Sequence, residues 1–148
     1  MFAGDTGFRV FRLDSTNIRA WEPVRADLEQ TLEGAVEHLK SDRTAQDILY
    51  ELLLKLGLDL CTPIATREIA GNEVRAVGGG ALLVCLAPRI GRDDVEELAQ
   101  GIAAWFEELA PAGDATFVFR DSAFEDDVAK TNMAAILAQR ALTRVRSL

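Results

Sequence analysis

Cysteine, histidine and proline are all scarce in this chain, with two, one and four copies among 148 residues. Cys61 and Cys85 stand apart from any Cys-x-x-Cys spacing, and His38 is the single imidazole. A zinc centre needs more nitrogen and sulfur ligands than that. The thiols therefore read as small buried hydrophobes of a reducing compartment, and the cytoplasm is the expected location. Long apolar runs are missing as well: none approaches the ~20 residues that cross a bilayer, so no membrane association is expected. The opening MFAGDTGFRVFRLD has no basic stretch followed by an apolar one and does not read as a signal peptide.

Positive charge is in deficit. Sixteen Lys and Arg against 24 Asp and Glu leave a net charge of −8. Non-specific affinity for nucleic acid comes from neutralising phosphates, so no direct DNA binding is expected. Arg140, Arg144 and Arg146 gather near the end of the chain, where they read as a solvated helix end and strand. What is present is ordinary for a globular protein: 49% apolar and 27% charged residues, at a length one domain (1–148) fills with its own core.

Periodicity supplies the elements. FRVFRLD (8–14) predicts a short strand. Pro23, at a favourable first helical position, opens a helical part in which Leu28, Leu32, Ala35, Val36 and Leu39 recur at helical spacing, with His38 as a half-exposed neighbour. Thr44 and Asp47 form a variant capping box, and Gly57 closes a helix over 44–56. Within it Ile48, Leu49, Leu52, Leu53 and Leu56 make one stripe, which Tyr50 and Leu54 widen to an arc of about 240°. Such a helix is wrapped on most sides, by its own domain or by a partner.

From Pro63 the period drops to two. IATREIA, a turn at Gly71-Asn72 and EVRAV predict a β-hairpin, and ALLVCLA (81–87) predicts a strand covered on both faces. Gly78, Gly79 and Gly80 precede that strand, whereas a phosphate loop follows a strand and opens a helix; they read as a turn or bulge. Val95, Leu98, Ala99, Ile102, Phe106 and Leu109 mark an amphipathic helix, ended by Pro111 and Gly113. Trp105 lies off this stripe and makes, with Leu98, Ile102 and Leu109, a second apolar edge. ATFVFR (115–120), another helix and TRVRSL complete the pattern. The expected fold is α/β: an N-terminal helical part, an antiparallel hairpin and a C-terminal βαβαβ parallel unit with right-handed crossovers, joined in a mixed sheet.

The most polar stretch is FRDSAFEDDVAKTN (119–132). Its spacing fits a helix start: Ser122 and Glu125 at capping-box positions, Asp126 and Asp127 near the positive end, and Lys130 at ion-pair distance from both. Asn132 borders the buried stripe of Ala129, Met133, Ile136 and Leu137, where it needs a hydrogen-bond partner. The alternative is a small-ligand or metal-binding α/β domain, in which Asp121, at a strand's carboxyl end, binds the ligand, or Asp121, Glu125 and Asp127 form an acidic metal cluster with Lys130 as catalytic partner. A metal centre needs converging carboxylates, and most of these acids march around a helix turn.

GFRVFRLDSTNIRAW, DILYELLLKLGLDL, GGGALLVCL, FRDSAFEDDVAKTN and the ending VRSL, in that order, resemble the C-terminal region of the modification subunit of type III restriction-modification systems. The full family subunit is an S-adenosylmethionine-dependent adenine-N6 DNA methyltransferase, with a DPPY-type motif for the adenine and an FxGxG-type motif for the cofactor. Neither motif occurs in this chain, whose prolines at 23, 63, 88 and 111 are all isolated. The resemblance thus implies a non-catalytic assembly or dimerisation domain, with no catalytic, cofactor or metal residue here and S-adenosylmethionine expected only for the full-length subunit. The implied partners are a second copy, the remaining part of the methyltransferase subunit and the restriction subunit. Helix arithmetic separately nominates Tyr50, Leu54, Trp105 and Leu109 for the interface, and gives Asp121, Ser122, Glu125, Asp127, Lys130 and Asn132 a structural role.

Overall fold

Thr44 starts the first helix that the computed structural model describes; the described residues are 7–19, 39–140, 142 and 144–148. The Thr44 hydroxyl accepts the Asp47 N–H at 3.2 Å, and the Asp47 carboxylate accepts the Thr44 N–H at 2.8 Å. Two orphan donors are thereby satisfied at the head of α1 (Ala45–Lys55). Gly57, at φ +70°, turns the chain out of the helix. The helical part expected from Pro23 and the surroundings of His38 fall mainly outside the described residues; Leu39, at its end, is buried against α1.

The hairpin forms from β1 (Ile64–Ile69) and β2 (Asn72–Val77). Its turn is Ala70-Gly71, one residue earlier than the spacing predicted. Both have positive φ, 48° and 70°, the handedness that a two-residue turn between twisted strands demands. Asn72 instead faces Ile69 across the hairpin, and its side-chain amide donates to the Ala70 carbonyl at 2.8 Å. Gly78, Gly79 and Gly80 all take positive φ in the turn that delivers β3 (Leu82–Cys85).

β3 is buried at every position, as its unbroken apolar run predicts. It pairs antiparallel with β2 and parallel with β4 (Thr116–Phe119), and β4 pairs parallel with β5 (Arg144–Ser147). The sheet order β1-β2-β3-β4-β5 is the mixed α/β arrangement expected from the sequence. The crossovers run through α2 (Val95–Leu109) and α3 (Asp127–Gln139).

Strand alternation divides the core into two. Val74, Ala76, Leu83, Cys85, Phe117 and Phe119 pack with Leu98 and Ile102 of α2 and Met133 and Leu137 of α3. Val77, Leu82, Val84 and Val118 point the other way, toward Leu49 and Leu53 of α1. The result is three layers, helix on sheet on helices. Burial also pushes the Cys85 thiol pKa up, while Cys61 is exposed in the loop after α1, contrary to its expected burial.

FRVFRLD is not a strand. Residues 8–14 join no helix or sheet, and Phe8, Val10 and Leu13 are 82–92% exposed. Its Phe and Val residues favour β structure, but among the described residues no strand pairs with this segment.

Gly101 of α2 shows how tightly the hairpin sits on the helix. A Cβ there would come within 2.3 Å of Ile69 Cγ2 in β1. Gly101→Ala is expected to destabilise the protein, because overpacking costs about 1–3 kcal/mol and outweighs the roughly 1 kcal/mol helix preference of alanine over glycine. Urea denaturation checks this, and Ile69→Ala should be less damaging in the Gly101→Ala background than in the wild type.

Candidate assembly surface

The acidic stretch after β4 is organised differently from the spacing argument. Residues 121–123 make a single 3-10 turn, and Phe124 is in extended conformation. Its ring packs edge-on against Phe119 at 5.0 Å, and its backbone bridges to Ile90. This anchor delays α3, whose N-cap is Asp126: the carboxylate accepts the Ala129 N–H at 2.7 Å. The Ser122–Glu125 capping box therefore does not form. Ser122 Oγ accepts a bond from Arg120 Nε at 2.9 Å, and Glu125 pairs with Arg89 at 2.7 Å. Lys130 reaches back to Asp121 instead of pairing along its own helix, and Asp126 takes Arg92. Asp127 lies exposed in the first turn of α3, and Asn132 is exposed, so it needs no partner across the sheet.

These acids diverge, and most of them meet their own cation. The Arg89 guanidinium holds the Glu125 carboxyl below the usual range; the Ala129 N–H does the same for Asp126. Among the described residues no group of three or more His, Cys, Asp or Glu side chains gathers as metal ligands. The strand order adds a topological point. β3, β4 and β5 follow one another in the sheet, and α2 and α3 pack together on one face. Both crossovers therefore step the same way, without the reversal that opens a ligand crevice in doubly wound sheets.

A different surface forms where residues 8–17 cross α1. Arg9 donates to the Leu60 carbonyl at 2.6 Å, and Phe11 packs edge-on against Tyr50 at 4.8 Å. Arg43 pairs with Asp14 at 3.0 Å, and Lys40 and Arg43 both donate to Ser15 Oγ. Asn17, 7% exposed, locks the end: its backbone N–H and side-chain amide reach Glu51 Oε2 at 2.7 and 2.6 Å. Thr16 and Lys55 bond the other Glu51 oxygen. Burial raises the Glu51 pKa, but these bonds to the charged form prevail and bring it to about 2.

This strap and α1 line a groove of about 1060 Å³ that includes Tyr50, Leu54 and Leu60. Of its lining residues Val10, Leu13 and Leu54 are exposed, Leu54 at 59%; Phe8, next in the chain to the lining residue Arg9, and Leu56 are exposed as well. Leu56, counted from the sequence in the buried stripe, is instead the helix's C-cap residue and 39% exposed. Of the four nominated interface residues, Tyr50 and Leu54 lie on this surface. Trp105 does not: it is 4% exposed, beneath the Arg67 guanidinium at 4.8 Å. Leu109 packs partly buried on the core helices and the Gly80 turn. The hairpin covers the second apolar edge of α2 within the same chain. Sequence reasoning missed Phe8, Val10 and Leu13 because FRVFRLD, rich in Phe and Val, was read as a short strand.

Comparison with protein-family models, curated proteins and solved structures finds no match for the chain.

The low Glu51 pKa makes the strap acid-sensitive. Its folded-state value of about 2 lies below the ordinary 4.5, so its stabilisation is fully present above pH 4.5 and disappears as the pH falls toward 2. Glu51→Gln should cost about 1–3 kcal/mol at neutral pH, the penalty for weakening bonds to part-buried donors. Denaturation midpoints of wild type and variant should converge between pH 4.5 and 2.

Proposed function

We propose that this chain is a non-catalytic assembly domain of a type III restriction-modification DNA methyltransferase, acting through self-association and contact with the rest of its subunit. The parent activity in this reading is S-adenosylmethionine-dependent adenine-N6 methylation of DNA. Adenine capture, cofactor binding and methyl transfer belong to other parts of that subunit, and this chain contributes the surface that brings subunits together. The restriction subunit is a further partner of the same surface or a neighbouring one.

The observation that carries the proposal is the exposed apolar surface of Val10, Leu13 and Leu54 at the groove. Exposed apolar patches beyond a few hundred Å² mark interaction sites on soluble proteins. This one lies on FRVFRLD and DILYELLLKL, two of the segments that carry the family resemblance. The cation partners of Asp121, Glu125 and Asp126 weigh against the competing small-ligand reading.

Sedimentation equilibrium tests it. The wild type should form a dimer, and Leu54→Asp should weaken that dimer by about tenfold or more, in line with removal of a buried apolar anchor. Its thermal midpoint should barely move, because Leu54 is exposed. Trp105→Asp should unfold the chain instead, because it places an unpaired carboxylate in the core. A wild type that is monomeric at every concentration and fails to co-purify with the remaining subunit would sink the proposal.

A further inference from the structure

We infer that residues 8–12 are a docking strand whose occupant is the same segment of a second copy, paired antiparallel about a two-fold axis at Val10. This rests on the assembly reading above and specifies its geometry.

The segment has the makings of a strand without a sheet. Phe8, Val10 and Phe11 favour β structure. No backbone hydrogen bond joins residues 8–14 to another described residue. Side chains do the tethering, through Arg9 at Leu60, Phe11 at Tyr50 and Asp14 at Arg43. Main-chain donors and acceptors are thereby held at the surface beside outward-facing Phe8 and Val10. Unpaired backbone of this kind is a template for strand addition. The sheet's own edges are less suited: β1 carries exposed Arg67 and Glu68, and β5 carries exposed Arg144 and Arg146, charges that blunt edge pairing.

Area and charge point to a second copy. Val10, Phe11, Leu13 and Leu54 line one groove and, with Phe8 beside them in the chain, expose apolar surface on the order of several hundred Å². A standard interface needs about 800 Å² per partner. A two-fold antiparallel pair sets one residue opposite its own copy. Centring on Arg9 or Arg12 would oppose like charges, and Phe11 is already committed to Tyr50. Centring on Val10 puts Phe8 opposite Arg12, a pair that combines apolar contact with cation–aromatic attraction, and lets Arg9 and Phe11 keep their Leu60 and Tyr50 contacts.

The test introduces Val10→Cys into a Cys61→Ser background, leaving Cys85 buried. Mild oxidation should link the two copies through Cys at position 10, whereas Thr66→Cys on the β1 edge, in the same background, should not link. Alternate amides among residues 8–12 should also exchange about tenfold or more slowly in the dimer than in the dissociated chain. A dimer by sedimentation that neither crosslinks at position 10 nor protects those amides overturns the strand pairing and leaves the assembly reading standing. A chain that stays monomeric yet binds the remaining subunit overturns the second copy as occupant. One that does neither removes both.

Discussion

β3 must be covered on both faces, and the rest of the architecture follows from meeting that demand. All four of its residues, Leu82 to Cys85, are buried, with Leu83 and Cys85 facing one core and Leu82 and Val84 the other. A single helical layer could cover only one set. α1 supplies the second cover from the N-terminal side, and α2 with α3 supply the first. The hairpin and the β4–β5 pair then flank β3 and satisfy its backbone on either side. The Gly78–Gly80 turn serves the same end, using left-handed backbone to swing the chain from β2 into β3 without a longer loop.

Where burial is set by local pattern, the sequence was legible. The continuous run ALLVCLA, the helical stripe from Val95 to Leu109 and the Thr44–Asp47 cap all appear as their chemistry implies. Where a distant contact decides, local spacing misled. Ser122 and Glu125 have the spacing of a capping box, but the Phe124 ring binds Phe119 and moves the helix start to Asp126. Trp105 looks like a loose edge residue in one dimension; in three, the hairpin and Arg67 cover it. Helical spacing cannot say which strand crosses above a helix.

The proposed surface illustrates the same divide. Leu54 was identifiable because an apolar arc wider than one core face leaves a residue outward. Phe8 and Leu13 were not, since a short run rich in Phe and Val normally signifies a strand whose side chains are covered within its own sheet. In this chain the β-forming residues are real, and among the described residues no strand pairs with them. The polar tethers from Arg9, Arg43 and Glu51 then hold an apolar ribbon against a helix, which hydrophobic burial alone would not do. Charge here fixes position, and the exposed apolar side chains are left available for contact.

The two cysteines lend this arrangement a built-in reporter. Cys85 is sealed in the core with its thiol pushed away from the reactive thiolate, while Cys61 is exposed one residue after the Leu60 carbonyl that anchors Arg9. An alkylating dye added to the unaltered chain would therefore attach at one place, beside the tethered end of the strap. Its emission would follow attachment and release of that segment without any engineered label.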